Sequence, residues 1–193
     1  MSAAVTVALL FFLSVALNEQ VTEGCSCVPR HPQQQFCSSD IVIRAKVIEK
    51  VPSTRPGLNA YKIQTIQTFK QSDQKRIQVI YTPQTSCGIS LYNGEYLLSG
   101  SVEDGRVILD LCDLVKPWNK LSQVQKEYLI MYQKGCVCEI SPCTGESCLI
   151  KMLQKKCQMR VTNQYWLDDE KALRSICLPG NGGFCRWQQI LNK

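Results

Sequence analysis

Twelve cysteines constrain this chain more than any other feature. They occur in a sequence of 193 residues, downstream of an apolar N-terminal run over residues 3–17. That run of about 15 residues is shorter than the roughly 20 that a membrane-spanning helix needs, and it matches the apolar region of a signal peptide. Thr22 and Gly24 are small residues in positions that suit cleavage before Cys25. The sequence therefore predicts a signal peptide over residues 1–24 and a secreted protein that begins at Cys25 and has no membrane span.

An even number of cysteines after a signal peptide is typical of a disulfide framework. Structural zinc is the alternative use of so many cysteines, but Cys/His zinc sites also draw on histidines, and His31 is the single histidine of the chain. Disulfide bonds are therefore favoured. We expect no metal or cofactor that belongs to this protein itself.

Known catalytic arrangements are missing from the sequence. A serine or cysteine nucleophile usually needs a positioned histidine base, and His31 lies between Arg30 and Pro32 with oxidised cysteines expected nearby. The consecutive acids at 168–170 point in different directions on a helix. There is no Gly-rich phosphate loop and no His-Glu-x-x-His zinc motif. We expect that the protein is not an enzyme.

Strand-like patterns dominate the first two thirds of the chain. Residues 41–50 alternate, with Ile43, Ala45 and Val47 on one face, as in a half-buried strand. Further strands are predicted over 61–69, 77–81, 95–102 and 106–111, and the last two form a hairpin around Asp104-Gly105. Five strands at hairpin spacing predict a small closed or partly open barrel.

Two helices are expected to flank the barrel. Ser122 and Gln125 form a capping box at the start of an amphipathic helix, and Gly135 is placed to end it. A shorter helix is predicted to begin at Pro32, because proline is acceptable in a first turn.

The C-terminal part, residues 137–193, contains six cysteines. A segment this short buries too little apolar surface to be stable without crosslinks. It is predicted to be a separate disulfide-rich module after a first domain over residues 25–136. Its Asn181-Gly182-Gly183 turn is compatible with a short terminal hairpin.

Cleavage before Cys25 would place two half-cystines, Cys25 and Cys27, among the first three residues. They could simply anchor a terminus that would otherwise fray. A second interpretation concerns the free α-amine. An unprotonated amine and the carbonyl oxygen of the same residue form a five-membered chelate ring with a metal, and the reference pKa of an α-amine, about 7.7 to 8.0, makes this accessible near neutral pH. Such an amine could displace the water of a hydrolase's catalytic zinc.

Several stretches resemble the tissue inhibitors of metalloproteinases across nearly the whole chain after residue 24. They are CSCVPRHPQQQFCSSDIVIRAKV at 25–47, TSCG at 85–88, YLLSG at 96–100, and the segment from CDLVKPWNKLSQVQKEYL to GCVC at 112–138. The resemblance implies an N-terminal netrin-like domain, built as a five-stranded OB-like Greek-key barrel, and a small disulfide-stapled C-terminal module. It also implies six pairs by matching order: Cys25 with Cys87, Cys27 with Cys112, Cys37 with Cys136, Cys138 with Cys185, Cys143 with Cys148, and Cys157 with Cys177. Spacing alone could not choose among the possible pairings.

The resemblance further implies a mechanism of inhibition. The Cys25 amine and carbonyl oxygen would bind the catalytic zinc of a matrix metalloproteinase or a related zinc metalloendopeptidase, in a 1:1 complex. Ser26 would point into the S1′ specificity pocket. The primed side of the cleft would be lined by Cys27, Val28 and Pro29, and the unprimed side by Thr85 and Ser86.

Two other functions remain open from the residues. Arg44, Lys46 and Lys50 share one strand face of a chain with a formal charge of +6, and such a stripe could bind sulfated glycans of the extracellular matrix or be an ordinary solvated surface. The main alternative function is a non-inhibitory netrin-like module that binds matrix or receptors. Nucleic acid is not expected as a partner, because few aromatic residues interleave with the basic ones.

Overall fold

The computed structural model describes residues 24–28, 30–71, 76–149, 155–161 and 174–189. The predicted signal peptide up to residue 23, the predicted contact residue Pro29 and the acidic residues 168–170 lie outside these ranges.

Five strands close into a barrel. β1 (Ile41–Val51) pairs with both β2 (Leu58–Lys70) and β4 (Gly94–Glu103), β2 pairs with β3 (Val79–Pro83), and β5 (Arg106–Ile108) joins β3 to β4. The β3 and β5 strands run parallel, whereas the other pairs are antiparallel. A short β6 (Lys116–Pro117) extends the sheet on β4. The prediction of a mainly β fold with a five-stranded barrel is confirmed.

The alternation in β1 has the predicted physical basis. Ile43, Ala45 and Val47 are buried in the barrel core together with Ile80 and Leu98. The predicted bounds of three strands were slightly wrong. The β5 strand ends at Ile108, three residues before the predicted end at residue 111. β2 begins at Leu58, three residues early, directly after the turn in which Gly57 adopts φ 76°. The β3 strand lies two residues later than predicted and ends at Pro83.

The hairpin between β4 and β5 is confirmed. Asp104 and Gly105 adopt φ angles of 49° and 72°, the left-handed conformation that favours these residue types in two-residue turns.

Two helices cover the outer face of the barrel. α1 (Pro32–Ser38) begins at the predicted proline, and α2 (Gln123–Gly135) begins directly after the predicted cap, Ser122. At α2 the Ser122 hydroxyl accepts from the Gln125 N–H at 3.2 Å. At α1 the cap is His31, whose Nδ1 accepts from the Gln33 N–H at 3.1 Å. The helices and barrel enclose a second core, which contains Phe36, Val42, Leu97, Tyr128 and Tyr132.

Gly135 ends α2, but not because it adopts a left-handed conformation. The following residue, Cys136, is still right-handed, with φ −70° and ψ −11°. A Cβ on Gly135 would lie 2.3 Å from Gln33 Nε2 and 2.4 Å from the Cys177 carbonyl oxygen. Close packing between α1, α2 and the C-terminal part therefore requires glycine at this position.

Among its described residues, the C-terminal part contains two small sheets. β7 (Glu139–Cys143) pairs in parallel with β8 (Lys156–Arg160), and β9 (Ile176–Pro179) forms the predicted hairpin with β10 (Cys185–Gln188). Their core is mostly cystine, with Ile140 and Met159 as its buried aliphatic members. The sequence division at residues 136 and 137 stays a prediction.

All twelve cysteines are paired, which confirms the disulfide framework. The six bonds are the pairs that the resemblance implied: Cys25–Cys87, Cys27–Cys112, Cys37–Cys136, Cys138–Cys185, Cys143–Cys148 and Cys157–Cys177. The sulfurs of Cys138, Cys177 and Cys185 lie within 4.8 Å of one another because two bonds pack side by side. Oxidised sulfurs offer no thiolate, so this cluster does not have the chemistry of a zinc site.

Within the described residues, no helix is both long and apolar enough to cross a membrane.

Candidate functional site

Two disulfides attach the predicted N-terminus to the barrel. Cys25 is bonded to Cys87, in the loop after β3, with 5.0 Å between the Cα atoms. Cys27 is bonded to Cys112, in the segment between β5 and β6, with a Cα separation of 5.3 Å. Ser26 lies between these two attachment points and is exposed. The backbone of residues 25–27 is therefore held at two positions before any partner binds.

The backbone nitrogen of Cys25 has a specific polar contact. Its N–H donates to Ser86 Oγ at 3.2 Å. The residue on its other side, Gly24, is exposed, and a Cβ on Gly24 would meet no atom within 4 Å. The Cys25 nitrogen thus faces Ser86 on one side and open space on the side of the Gly24–Cys25 peptide bond.

A tight turn presents Thr85 and Ser86. The Gly88 N–H donates to the Thr85 carbonyl oxygen at 2.9 Å, and the Cys87 N–H donates to Thr85 Oγ1 at 3.3 Å. A Cβ on Gly88 would lie 1.8 Å from the Pro83 carbonyl oxygen. The turn can fold back on the end of β3 only because residue 88 has no side chain.

The second attachment point is held by a network of carboxylates. The Cys112 N–H donates to Asp110 Oδ1 at 2.7 Å, and the Asp110 N–H donates to Asp113 Oδ2 at 2.8 Å. Gln35 Nε2 donates to the Cys112 carbonyl oxygen at 3.0 Å, which ties the turn to α1. Burial raises the pKa of Asp113 to about 6. Its hydrogen bond from the Asp110 backbone lowers the pKa by less, the charge of Asp110 raises it, and the charge of Arg30 lowers it.

The predicted contact residues that the structure describes lie on the N-terminal segment 25–28 and on the turn that carries Thr85 and Ser86. Of them, Ser26, Val28, Thr85 and Ser86 are exposed, and Cys25 and Cys27 are half-buried. We call these six residues the N-terminal ridge. The side chain of Val28 is 78% exposed. Sequence reasoning did not single out Leu111, which is 49% exposed and donates its N–H to the Cys87 carbonyl oxygen at 2.8 Å. Its position directly before Cys112 was the signal that could have identified it.

The ridge has the chemistry of a ligand rather than that of a catalyst. Its side chains are hydroxyls, one aliphatic group and half-cystines, none of which is a general acid or base near neutral pH. Removal of residues 1–24 would leave a free amine on Cys25, next to the carbonyl oxygen of the same residue. These two atoms could then chelate a metal from an accessible position.

The three residues of the predicted basic stripe, Arg44, Lys46 and Lys50, differ in their environments. Arg44 forms an ion pair with Glu95 at 2.5 Å, and its guanidinium carbon lies 4.5 Å from the centroid of the Trp118 ring. Lys46 and Lys50 are exposed. The charge of Arg44 is therefore largely engaged within the protein, and glycan binding by this face stays a prediction that depends on the two lysines.

Comparisons with known proteins find similar sequences over most of the chain. The sequence profile described as "Tissue inhibitor of metalloproteinase" matches residues 23–187. A relative from Scyliorhinus torazame, "Metalloproteinase inhibitor 3", is 33% identical, with 96% of this chain and 91% of the relative covered. "Metalloproteinase inhibitor 2" of Cricetulus longicaudatus is 38% identical over 85% of this chain and 91% of its own length. The human protein of the same name is 36% identical over 92% of this chain and 87% of its own.

Proposed function

The chain belongs to the tissue inhibitor of metalloproteinase family, and on this basis we propose that it is a secreted inhibitor that occupies the active-site cleft of a zinc metalloendopeptidase. The family consists of metalloproteinase inhibitors, which are not enzymes themselves. The proposed partners are matrix metalloproteinases and related enzymes, bound 1:1. Six disulfide bonds are consistent with an extracellular protein.

The observation that carries the proposal is the attachment of residues 25–27 at both ends. The bonds Cys25–Cys87 and Cys27–Cys112 hold this segment against two separate loops of the barrel. A segment that is ordered before docking loses little conformational entropy when it binds, so a small ridge can bind tightly. A terminus attached at only one point would lose more conformational entropy on binding.

In the proposed complex, the mature Cys25 binds the catalytic zinc of the protease. Its amine nitrogen would displace the water that a catalytic zinc keeps in its open position, and its carbonyl oxygen would complete the chelate ring. The zinc belongs to the partner, and the inhibitor contributes no cofactor of its own. Loss of the bound water removes the nucleophile of the hydrolysis reaction, which is why a chelating amine inhibits.

The remaining ridge residues, together with Pro29, contact the cleft on either side of the zinc. Ser26 enters the S1′ pocket, and Cys27, Val28 and Pro29 lie along the primed side. The unprimed side is covered by Thr85 and Ser86, which the Cys25–Cys87 bond keeps beside the zinc-binding residue. The exposed side chain of Val28 supplies apolar contact area.

The proposal is tested by blocking the amine while the fold is kept. One alanine is added before Cys25 in the mature protein, and a second sample is acetylated at its α-amine. Both changes remove the chelating group, so inhibition of a matrix metalloproteinase should fall by at least about two orders of magnitude, the loss expected when an essential metal contact is removed. Acetylation near neutral pH favours the α-amine over the lysines because its reference pKa is lower, and peptide mass mapping checks that the lysines remain unmodified.

The unfolding curves of the two samples should match that of the parent protein, since Gly24 lies in open space in the structure. Undiminished inhibition by the extended protein would reject the zinc-binding mechanism. Complete absence of inhibition by a correctly folded parent protein would favour the non-inhibitory netrin-like module instead.

A further inference from the structure

Ser86 lies beside the atom that the proposed mechanism depends on. It is exposed, it directly precedes the half-cystine Cys87, and its hydroxyl oxygen accepts the Cys25 N–H at 3.2 Å. The neighbouring hydroxyl of Thr85 has a different role, because it accepts the Cys87 N–H within the turn. The Thr85 hydroxyl therefore stabilises the turn, and the Ser86 hydroxyl contacts the N-terminal segment.

The disulfide bond holds the Cα of Cys25 but does not fix the orientation of its amine. With its Cα held 5.0 Å from that of Cys87, a mature α-amine can still rotate about the N–Cα bond among three staggered positions. Those positions direct the nitrogen lone pair toward different points in space. In one of these rotational positions the lone pair points toward a metal ion held in a rigid cleft.

The hydrogen bond to Ser86 selects among these positions. The hydrogen bond fixes the direction of one N–H. After cleavage, the position on the nitrogen that the Gly24 carbonyl carbon now occupies becomes available. That position faces open space, since Gly24 is exposed and nothing lies within 4 Å of its Cβ position. Cleavage after Gly24 would place the lone pair or the second N–H there, where a partner's metal can approach.

We propose that Ser86 is a positioning residue: its hydroxyl holds one N–H of the mature Cys25 amine and thereby orients the nitrogen toward the partner's zinc. This inference rests on the proposed function and adds a role that is separate from any contact between Ser86 and the protease. Alanine at position 86 would retain the fold and both disulfides but would leave the amine to rotate.

The test is a cycle of four proteins, and its readout is the dissociation constant for one zinc metalloprotease, measured by surface plasmon resonance. Ser86→Ala is introduced into the mature protein and into the form that carries one alanine before Cys25. In the mature protein we expect binding to weaken by about 3- to 10-fold, the effect of one lost hydrogen bond. In the extended form, which cannot chelate, the same substitution should weaken binding clearly less, because only the direct contact of Ser86 with the cleft is lost there.

Two further variants control for the chemistry of the side chain. Ser86→Thr keeps the hydroxyl and should restore most of the lost affinity in the mature protein. Ser90→Ala removes another exposed serine shortly after the turn and should have no effect in either form.

Three outcomes are separable. An equal loss from Ser86→Ala in both forms would mean that Ser86 acts through direct contact with the protease, and it would overturn the inference. So would the absence of any loss in the mature protein. If the added alanine does not weaken binding even with Ser86 present, the zinc-binding mechanism itself fails, and the role of Ser86 fails with it.

Discussion

The side-chain amide of Gln33 forms a reciprocal pair of hydrogen bonds with the backbone of Cys177. The Cys177 N–H donates to Gln33 Oε1 at 2.9 Å, and Gln33 Nε2 donates to the Cys177 carbonyl oxygen at 2.8 Å. The same Nε2 donates to the Gly135 carbonyl oxygen at 3.1 Å. Both Gln33 and Cys177 are essentially inaccessible to solvent. One amide in α1 therefore connects the end of α2 to the C-terminal hairpin.

Replacement of Gln33 should be among the most destabilising single changes at this junction. Gln33→Leu has a similar size but leaves the backbone N–H and C=O of Cys177 buried without partners. We expect the free energy of unfolding to fall by about 2 to 4 kcal/mol, since each buried group left unpaired costs about 1 to 3 kcal/mol. Urea denaturation monitored by tryptophan fluorescence measures this, with Gln133→Leu on the exposed side of α2 as the control. Equal stability of the two variants would contradict the assigned role.

Substitution of Gly88 should damage the ridge specifically. In Gly88→Ala the new methyl group would collide with the Pro83 carbonyl oxygen, at 1.8 Å in the present geometry. The turn that carries Thr85 and Ser86 must then move, and with it the Cys25–Cys87 bond. We expect affinity for a metalloprotease to fall by at least about tenfold, because small displacements of a preorganised site are costly.

The matched control for this substitution is Gly57→Ala in the turn before β2. Gly57 has φ 76° and open space around its Cβ position. That variant should lose some stability through its backbone strain and keep its affinity for the protease. Similar affinities of the two variants, measured by titration of protease activity, would show that the Gly88 turn does not position the ridge.

Loss of the N-cap of α2 should have a modest effect. Ser122→Ala removes the acceptor of the Gln125 N–H, and the expected cost is about 1 kcal/mol of unfolding free energy. Ser122→Asp keeps an acceptor and should retain most of the stability. Thermal denaturation followed by circular dichroism distinguishes the two variants, and a Ser122→Asp variant as unstable as Ser122→Ala would argue against the cap.

Asp113 should make stability depend on pH in a defined window. Its pKa in the folded protein, about 6, lies above the ordinary value of 3.8, so the folded state binds the proton more tightly than the unfolded state. This contribution is complete below about pH 4 and is lost as the pH rises through about 6. Asp113→Asn cannot titrate and keeps an oxygen that can accept from the Asp110 N–H.

The measurement is the urea midpoint of both proteins at intervals from about pH 4 to 7. Relative to Asp113→Asn, the parent protein should lose stability across this range and then level off. Parallel curves for the two proteins would mean that the Asp113 carboxyl titrates alike in the folded and unfolded states.

The exposed lysines of β1 allow a test of glycan binding. If the predicted basic stripe binds sulfated glycans, Lys46→Gln with Lys50→Gln should lower the salt concentration at which the protein elutes from heparin. The shift should exceed the shift on a plain cation exchanger, where only the net charge counts. Arg44 is left unchanged because its ion pair with Glu95 and its contact with Trp118 are structural. Equal shifts on both columns would reject a specific site.

The amino-acid sequence by itself determined those features that depend on neighbouring residues. The alternation in β1, the Asp104-Gly105 turn and the capping box at Ser122 each involve residues a few positions apart, so local preferences were sufficient to predict them. The resemblance of cysteine-bearing segments to one protein family was also visible in the sequence. The proposed zinc-binding role of Cys25 follows from that resemblance and from the chemistry of an α-amine.

The tertiary structure decided the noncovalent contacts between distant parts of the chain, whereas the resemblance had already implied the six disulfide pairs. The contact between the Cys25 nitrogen and Ser86 spans 61 positions, and that between Gln33 and Cys177 spans 144. No periodicity or spacing rule reaches so far, because such residues meet only through the pairing of strands and the packing of the helix, the loops and the C-terminal hairpin. The same reason explains why Gly135 was interpreted as a helix stop: the atoms that exclude a side chain there belong to α1 and to the C-terminal hairpin.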